Sequence, residues 1–424
     1  MGVLRKVFLG FALAAGVLAA AAPVADAAAA TVTTAYAFDG ATGMSPRNGN
    51  LLFLGGSLYG STYAGGANDL GAIVAVPQSA NGTATLLHSF TGTQGAHPNG
   101  SLVADASGNL YGTTQAGGAG NAGTIFKLTK SPLIGGPWGF VLLHEFNGPT
   151  DGAQPIAGLT FGTDGALYGT AEFGGGSSCT TPAGVAVGCG TVFRITTIGS
   201  FEVIHAFSNV IGAGHFPATN VVVDPAGNIV GTTSIGVSEF DGGGTVFAIA
   251  PNGTFTVVSQ FTVRGPVVNP VGTIARDAGG NVYGMVTFAG NFGSPPVGEA
   301  IFKVAALTHR RSIVVALGTQ ASTSGVTLRG NTLYFTTTGG FVPTPGFNPT
   351  AYMHGPGTVY ALPLGATTPT AIASLDYANL SPVGGVVADS AGNLWGQSSA
   401  GGIVCPAPSN GTQSGCGTIF KVTP

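Results

Sequence analysis

The chain has 424 residues, a formal net charge of −3 and 7% charged residues, against about 25% in an ordinary soluble domain. Disorder is not expected, because 44% of the residues are hydrophobic and charge is scarce. With 13 basic residues in total, the chain has no basic stripe to neutralise phosphates, which excludes nucleic acid as a partner. The 73 glycines fit an architecture of many short strands joined by glycine turns.

The first residues have the features of a signal peptide. Arg5 and Lys6 form a short basic region, residues 7–22 are apolar, and residues 25–27 (Ala-Asp-Ala) have the small-x-small pattern of a cleavage site. The apolar stretch is shorter than the ~20 residues of a spanning helix, which disfavours a membrane anchor. We expect residues 1–27 to be removed. The mature protein is then secreted, periplasmic or at the cell surface, with no membrane span.

One sequence motif recurs along the rest of the chain. Its clearest copy, residues 86–128, contains Leu-His-Ser-Phe, a proline, Leu-Tyr-Gly-Thr-Thr, a glycine-rich loop and Gly-Thr-Ile-Phe. The Tyr position occurs seven times at spacings of 51 to 62 residues, as Tyr59, Tyr111, Tyr168, Val230, Tyr283, Tyr334 and Trp395. Thirteen residues earlier stand Pro46, Pro98, Pro155, Pro217, Pro270, Ala321 (in the sixth copy) and Pro382.

Each copy predicts four antiparallel strands, a to d. Strand a follows the proline, strand b carries Leu-Tyr-Gly-Thr, strand c carries Gly-Thr-Ile-Phe, and strand d carries Leu-His-Ser-Phe. The constant spacing from Pro to Tyr predicts a tight a–b turn, in which Asp105 caps the backbone and Gly108 takes a positive φ. A calcium site is the alternative for such aspartates. Four antiparallel strands in a period of about 40 to 60 residues are typical of a propeller blade.

The two ends of the repeat region set the blade count. Residues 34–38 are a d strand without a preceding blade, and residues 417–422 are a c strand without a following d. We therefore predict that residues 28–424 form one all-β domain, a seven-bladed β-propeller with four-stranded blades. The N-terminal strand completes the last blade and removes the open edge that a linear stack would leave.

The elements in residues 86–128 resemble the GloVer tandem repeat of exported bacterial proteins described as choice-of-anchor proteins. The resemblance covers nearly all of residues 28–424 and is strongest in copies two, three and seven. It implies an exported protein whose C-terminal anchor varies between members. This chain departs from that pattern, because it stops at Pro424 without a sorting tail. The resemblance implies no established activity.

The four cysteines form two pairs in equivalent loops. Cys179 and Cys189 lie in the b–c loop of copy three, and Cys405 and Cys416 lie in the same loop of copy seven. In an exported protein this arrangement predicts two local disulfides. A metal site is the alternative, although the spacing lacks the CxxC pattern of zinc sites. We expect no metal and no cofactor.

One set of residues is expected to converge at the mouth of the central channel, because the d–a loops lead into the innermost strands. It comprises the residues just before the six prolines and two neighbours. The set is mostly polar and differs between copies, as binding positions do, and plain exposed loop ends are the alternative. These ligand-binding candidates are Ser45, His97, Gln154, Phe216, Asn269, Ser381, Asp151 and His215.

Other chemical motifs are weak. The recurring His88, His144 and His205 lie in strand d, the outermost strand, so we expect them to be structural. The chain contains neither Gly-x-Ser-x-Gly nor His-Glu-x-x-His, and a loop such as residues 117–120 is followed by a strand, where a phosphate loop needs a helix.

The function that the sequence favours is that of a monomeric binding or scaffold module, with a glycan or a surface protein as partner. Two alternatives stay open. One is an extracellular polysaccharide lyase or hydrolase, with His97, Asp151 or His215 as acid or base. The other is a structural surface-layer component.

Overall fold

The architecture of the chain is all-β, and every described strand belongs to a small antiparallel sheet. No helix in the described part could cross a membrane. The predicted signal peptide and Ala321 lie outside the described residues. The computed structural model describes residues 30–78, 83–131, 133, 136–181, 184–210, 212–236, 243–261, 267–289, 296–306, 308–318, 325–339, 355–376, 381–403, 405 and 415–423.

Seven of the sheets are the blades of a propeller, as the repeat predicts, and the first strand of the chain is β1 (Thr31–Ala37). Blade one consists of β2 (Leu52–Leu54), β3 (Ser57–Thr62), β4 (Ala72–Pro77) and β5 (Thr85–Ser89). Blade two consists of β6 (Val103–Ala104), β7 (Leu110–Thr114), β8 (Thr124–Thr129) and β9 (Gly139–Glu145). Blade three consists of β10 (Thr160–Phe161), β11 (Leu167–Ala171), β14 (Thr191–Ile195) and β15 (Phe201–Ala206), with an added hairpin of β12 (Ser178–Thr180) and β13 (Ala186–Gly188).

The remaining blades repeat the pattern. In blade four strand a is split into β16 (His215–Pro217) and β17 (Val222–Val223), followed by β18 (Ile229–Ile235), β19 (Thr245–Ile249) and β20 (Phe255–Gln260). Blade five consists of β21 (Val267–Arg276), β22 (Val282–Ala289), β23 (Pro296–Val304) and β24 (Arg311–Gly318). Blade six consists of β25 (Thr327–Arg329), β26 (Thr332–Gly339), β27 (Gly355–Pro363) and β28 (Thr370–Ser374). Blade seven joins β29 (Pro382–Ala388), β30 (Leu394–Ser398) and β31 (Thr418–Thr423) to β1.

The ring closes where the sequence predicts it. Strand β1 pairs antiparallel with β31, from Thr31 opposite Thr423 to Ala37 opposite Thr418. The Phe38 amide continues the ladder by donating to the Gly417 carbonyl at 3.0 Å. Phe38 itself is buried among residues of blades one and seven. The N-terminal strand therefore pairs the edge that β31 would otherwise expose.

Adjacent blades meet at a glycine and a proline. Except in blade five, where Glu299 replaces the glycine, the glycine before strand c has no room for a side chain, because the ring of the next blade's proline fills that space. A Cβ placed on Gly123 would lie 2.6 Å from Cδ of Pro155, and one on Gly417 would lie 2.7 Å from Cδ of Pro46. The second contact joins the last blade to the first. The same contact recurs at Gly71 with Pro98, Gly190 with Pro217, Gly244 with Pro270 and Gly357 with Pro382.

The aspartates of the a–b turns are turn caps, as expected. Asp105 Oδ1 accepts the amides of Ser107 and Asn109, each at 2.9 Å, while its Oδ2 accepts the Asn109 side chain and the Tyr111 hydroxyl. Equivalent bonds surround Asp224, Asp277 and Asp389. Each cap ties strand a to strand b, which explains why the spacing from Pro to Tyr is constant.

The centre of the ring is narrow, because the innermost strands approach one another through glycine. A Cβ on Gly100 would lie 2.4 Å from the Gly158 nitrogen, and one on Gly49 would lie 2.7 Å from the Gly100 carbonyl oxygen. A central cavity of about 290 Å³ remains, lined by residues of all seven blades. A ligand larger than this cavity would have to bind at the mouth of the ring.

Removal of residues 29–40 should lower the free energy of unfolding by more than about 4 kcal/mol, or cause aggregation. The physical reason is that the truncation uncovers the backbone groups of β31 and removes the buried Phe38. Chemical denaturation and light scattering measure the effect. An unchanged unfolding midpoint would contradict ring closure by β1.

A pair of point variants separates closure from a general effect of shortening the chain. Gly417→Ala at the closing contact should cost roughly 2 to 5 kcal/mol, since it adds overpacking to the strain of a left-handed backbone. Gly253→Ala is the matched control, because Gly253 also has a positive φ but no atom lies within 4 Å of its added Cβ. It should cost only about 1 kcal/mol.

Candidate functional site

The residues before the prolines share an uncommon backbone conformation. Eight non-glycine residues in the described part have a positive φ, and five of them are sequence-predicted mouth residues. A left-handed conformation costs a non-glycine residue roughly 1 to 2 kcal/mol, so glycine would be the least costly choice here. Asn269 differs because strand a of blade five runs straight through it. The five residues are Ser45 (53°), His97 (58°), Gln154 (54°), Phe216 (57°) and Ser381 (54°).

Backbone hydrogen bonds hold these residues in a fixed frame. The His97 amide donates to the Leu70 carbonyl of the preceding blade at 2.8 Å. Its own carbonyl accepts the Gln115 amide at 3.1 Å, from the end of strand b in the same blade. The Gln154 carbonyl accepts the Glu172 amide in the same way, at 3.2 Å. The d–a and b–c loops therefore share one face of the ring.

The residues at the ends of strand b form a second set at this mouth, which the sequence analysis did not select. They stand four residues after the Tyr position and differ between copies, which is the signal that could have found them. They are Tyr63, Gln115, Glu172, Ser234, Thr287, Thr338 and Ser399.

Blades one and two contribute a cationic and aromatic cluster, here called the Arg47 stack. The Tyr63 ring lies parallel to the His97 imidazole, with 4.5 Å between ring centroids. The Arg47 guanidinium carbon lies 3.5 Å from the Tyr63 centroid, so the two groups occupy opposite faces of that ring. His97 Nδ1 is also 2.9 Å from the Tyr63 carbonyl oxygen. Arg47 is exposed, so the cluster presents a positive charge to solvent.

Three side-chain amides continue from blade two into blade three, and we call them the amide row. Asn99 Nδ2 donates to Gln115 Oε1 at 3.4 Å, and Gln115 Nε2 donates to Gln154 Oε1 at 3.3 Å. Asn99 is buried, whereas Gln115 and Gln154 are half-buried. The Asn99 Oδ1 atom is buried and has no hydrogen-bond partner. The row thus has unused acceptor capacity on a fixed scaffold.

Gln154 also lines a groove of about 530 Å³ on blade three. One wall is the hairpin β12–β13, and Pro149 and Phe173 contribute apolar surface. The Phe173 ring packs edge-on against Phe216, with 5.4 Å between centroids. Because Phe216 is only 3% exposed, its side chain supports Phe173 and offers no contact surface of its own.

Glu172 adjoins Phe173 in the chain, and its side chain is half-buried. Desolvation by burial raises the pKa of its carboxyl to about 7. A carboxyl that exchanges its proton near neutrality is suited to general acid or base chemistry. Glu172 is therefore the described mouth residue with the most perturbed acid–base behaviour.

The other predicted residues lie apart from the groove. Asp151 is buried, where its Oδ1 accepts the Asn147 amide at 2.9 Å and its Oδ2 is 3.0 Å from His144 Nε2. It therefore stabilises a loop. His215 is buried in β16, with its ring against Phe216. Ser381 is buried, whereas Ser45 and Asn269 are half-buried.

Both predicted disulfides are present. Cys179 pairs with Cys189, with 5.1 Å between Cα atoms, and Cys405 pairs with Cys416, with 5.2 Å between Cα atoms. The first closes the hairpin that walls the groove. No group of three metal-ligating side chains occurs among the residues whose placement is described. The two bridges fit an oxidising compartment.

The strand d histidines pack at the outer rim, as expected. Each lies flat on a phenylalanine in strand d of the next blade, with centroid distances of 3.7 to 4.2 Å. The pairs are His88 with Phe140, His144 with Phe201 and His205 with Phe255. Desolvation lowers the pKa of all three, that of His88 to about 4. A hydrogen bond and charge from Asp151 partly offset the effect at His144.

Comparison with known proteins identifies a family and a fold. A model of the Gloeobacter/Verrucomicrobia repeat matches residues 24–181 and 139–347, which excludes copy seven. No curated protein sequence matches the chain.

Three solved structures illustrate the similarity of fold. An oligogalacturonate lyase in complex with manganese is 10% identical, with 93% of each chain covered and a TM-score of 0.53. The polysaccharide lyase Uly1 is 10% identical, with 90% of each chain covered and a TM-score of 0.53. The oligogalacturonate lyase of Vibrio parahaemolyticus is 10% identical, with 93% of this chain and 97% of that chain covered and a TM-score of 0.49. At such low identity, these similarities concern the fold alone.

Acidification from pH 6.5 towards pH 4 should destabilise the protein. The pKa of His88 is about 4 in the folded protein and near 6.5 in the unfolded chain. Between these values the unfolded chain binds a proton that the folded protein does not, so the free energy of unfolding decreases as the pH is lowered. His88→Phe keeps an aromatic ring against Phe140 and should make the fall shallower. Denaturant titrations at pH 8 and pH 5 measure both. At pH 8 histidine is neutral in both states, so the difference in free energy of unfolding between the variant and the unsubstituted protein reports the change in packing alone. A variant whose free energy of unfolding depends on pH as before would contradict the role of His88.

Proposed function

The chain belongs to the Gloeobacter/Verrucomicrobia repeat family, and we propose that it is an exported protein that binds a carbohydrate chain at the mouth of blades one to three. The observation that carries the proposal is the amide row, which runs from the Arg47 stack to the groove on blade three. Side-chain amides carry both donors and acceptors, and sugar hydroxyls need both.

The groove and the stack extend the contact beyond the row. A volume of about 530 Å³ lies within the range of roughly 300 to 1,000 Å³ that is typical of small-ligand sites. Phe173 offers apolar surface for a sugar ring at one end of the site, and exposed Arg47 offers positive charge at the other. This distribution favours a polysaccharide that carries carboxylate or sulfate groups.

The strained backbone of His97 and Gln154 supports a role of their side chains in ligand binding. Glycine occupies many other left-handed positions of this chain, yet His97 and Gln154 keep their side chains at a cost of roughly 1 to 2 kcal/mol each. Strain of this kind tends to occur at ligand sites. Export fits the predicted signal peptide and the two disulfides.

Immobilised neutral, uronic-acid and sulfated polysaccharides should distinguish ligands for the purified mature protein. We expect retention on an anionic polysaccharide, and Gln115→Ala should weaken binding about three- to tenfold, since a hydrogen bond contributes about 0.5 to 1.5 kcal/mol. Affinity electrophoresis measures both effects.

Gln78→Ala is the matched control for this substitution. Gln78 donates to Asp389 at the turns on the opposite face of the ring, so its removal should leave affinity unchanged. Retention on none of the polysaccharides, or equal effects of the two variants, would contradict the proposal.

A second candidate function is cleavage of the bound polysaccharide, and the raised pKa of Glu172 is the observation that favours it. Release of reducing ends should then depend on pH near 7, and Glu172→Gln should abolish release but preserve binding. One structural relative is by name a polysaccharide lyase and another an oligogalacturonate lyase, each with a TM-score of 0.53, and these names support testing for cleavage. Binding without any product would leave the protein as a binding module.

A further inference from the structure

The interfaces between blades contain a recurring slot for an aromatic ring. In copies two, three, five and seven the side chain at the Tyr position donates to Oδ2 of its own turn aspartate, as the Tyr111 hydroxyl does to Asp105 at 2.9 Å. Trp395 does the same to Asp389 through its indole nitrogen at 2.9 Å. A lysine of strand c lies above the ring in three blades, as Lys127 over Tyr111, Lys303 over Tyr283 and Lys421 over Trp395.

Blade four keeps the slot but lacks the ring and the lysine. Val230 stands at the Tyr position. Opposite it stands Ala248, where copies two, three, five and seven carry lysine or arginine and copies one and six carry alanine. Asp224 is retained and still accepts the Asn228 side chain at 2.9 Å. Valine has no hydrogen-bond donor. Asp224 Oδ2 therefore receives no hydrogen bond from Val230, whereas the corresponding aspartate oxygen in other blades accepts one from the Tyr or Trp side chain.

A cavity of about 230 Å³ occupies this place between blades four and five. Val230, Val246 and Val282 are among its apolar walls. Arg276 enters from blade five, with its Nη2 atom 3.8 Å from Asp224 Oδ2. Exposed His309 lies at the rim, which gives access from solvent.

We propose that this cavity binds a small hydroxyaromatic molecule of the phenol class. Its ring takes the place of the missing tyrosine ring, and its hydroxyl donates to Asp224. The Arg276 guanidinium supplies the cation that lysine supplies in the other blades. The volume suffices, since a cavity of about 150 Å³ binds benzene. This inference is independent of the proposed carbohydrate site.

The cavity chemistry selects among possible ligands. Asp224 is ionised, because hydrogen bonds from Asn228 and its turn amides outweigh desolvation and keep its pKa below the ordinary value. An anion would therefore meet a negative charge, whereas a neutral hydroxyl finds an acceptor. Benzene fits the apolar walls but lacks the donor, and cyclohexanol has the donor but no π face for Arg276.

The test uses phenol as probe and titrates it into the mature protein, with benzene and cyclohexanol as comparison ligands. We expect saturable binding of phenol, with both comparison ligands at least about tenfold weaker. Calorimetry and the shift of the melting temperature measure affinity. Absence of saturable phenol binding, or benzene binding as tightly as phenol, would overturn the proposal.

Two valine-to-tyrosine variants locate the site. Val230→Tyr restores the residue of the other blades, and it should abolish phenol binding and raise the melting temperature. Val141→Tyr is the matched control at an exposed position of β9, and it should leave affinity unchanged. Undiminished phenol binding by Val230→Tyr would overturn the assignment. The ligand comparison on the unsubstituted protein stays decisive even if a variant folds poorly.

Discussion

The propeller depends on one contact, in which the proline ring of six of the seven blades fills the space beside a glycine of the blade before it. Where it occurs, the contact sets the spacing between blades through atoms that have no rotamers, so it leaves little freedom for the angle between them. It also places the residue before each proline at the same point of the ring. Ser45, His97 and Gln154 precede such prolines and share a left-handed backbone, so their side chains project from a rigid frame.

This mode of packing accounts for the composition of the chain. Inner strands that touch through Gly49, Gly100 and Gly158 need neither charge nor bulky side chains at the centre. Large aromatic residues are instead placed between strands and at the rim, where His88 and Phe140 join neighbouring blades. A protein built from backbone contacts and aromatic layers has little need of surface ion pairs for its architecture, which fits a charged fraction of 7%.

The fold could be predicted from the sequence because each landmark is local and repeated. Proline 13 residues before tyrosine fixes two strands and a turn, and the unmatched strands at residues 34–38 and 417–422 reveal the closure. The candidate site was only partly predictable. The repeat places the loops, but it does not reveal that Phe216 is buried or that Arg47 lies against Tyr63, because both depend on side-chain packing that the repeated residues do not determine. Val230 was visible as a departure from the repeat, yet a cavity appears only when the neighbouring blade is placed beside it.

Closure by β1 has a consequence for the order of events during biosynthesis. Its partner β31 follows every other described strand in the sequence, so β1 stays without its partner until all seven blades have been synthesised. An unpaired apolar strand at this stage would be prone to intermolecular pairing. Strand β1 has the sequence TVTTAYA, in which three of the seven residues are threonine. The residues that complete the ring therefore remain without a partner strand while the chain between them is made.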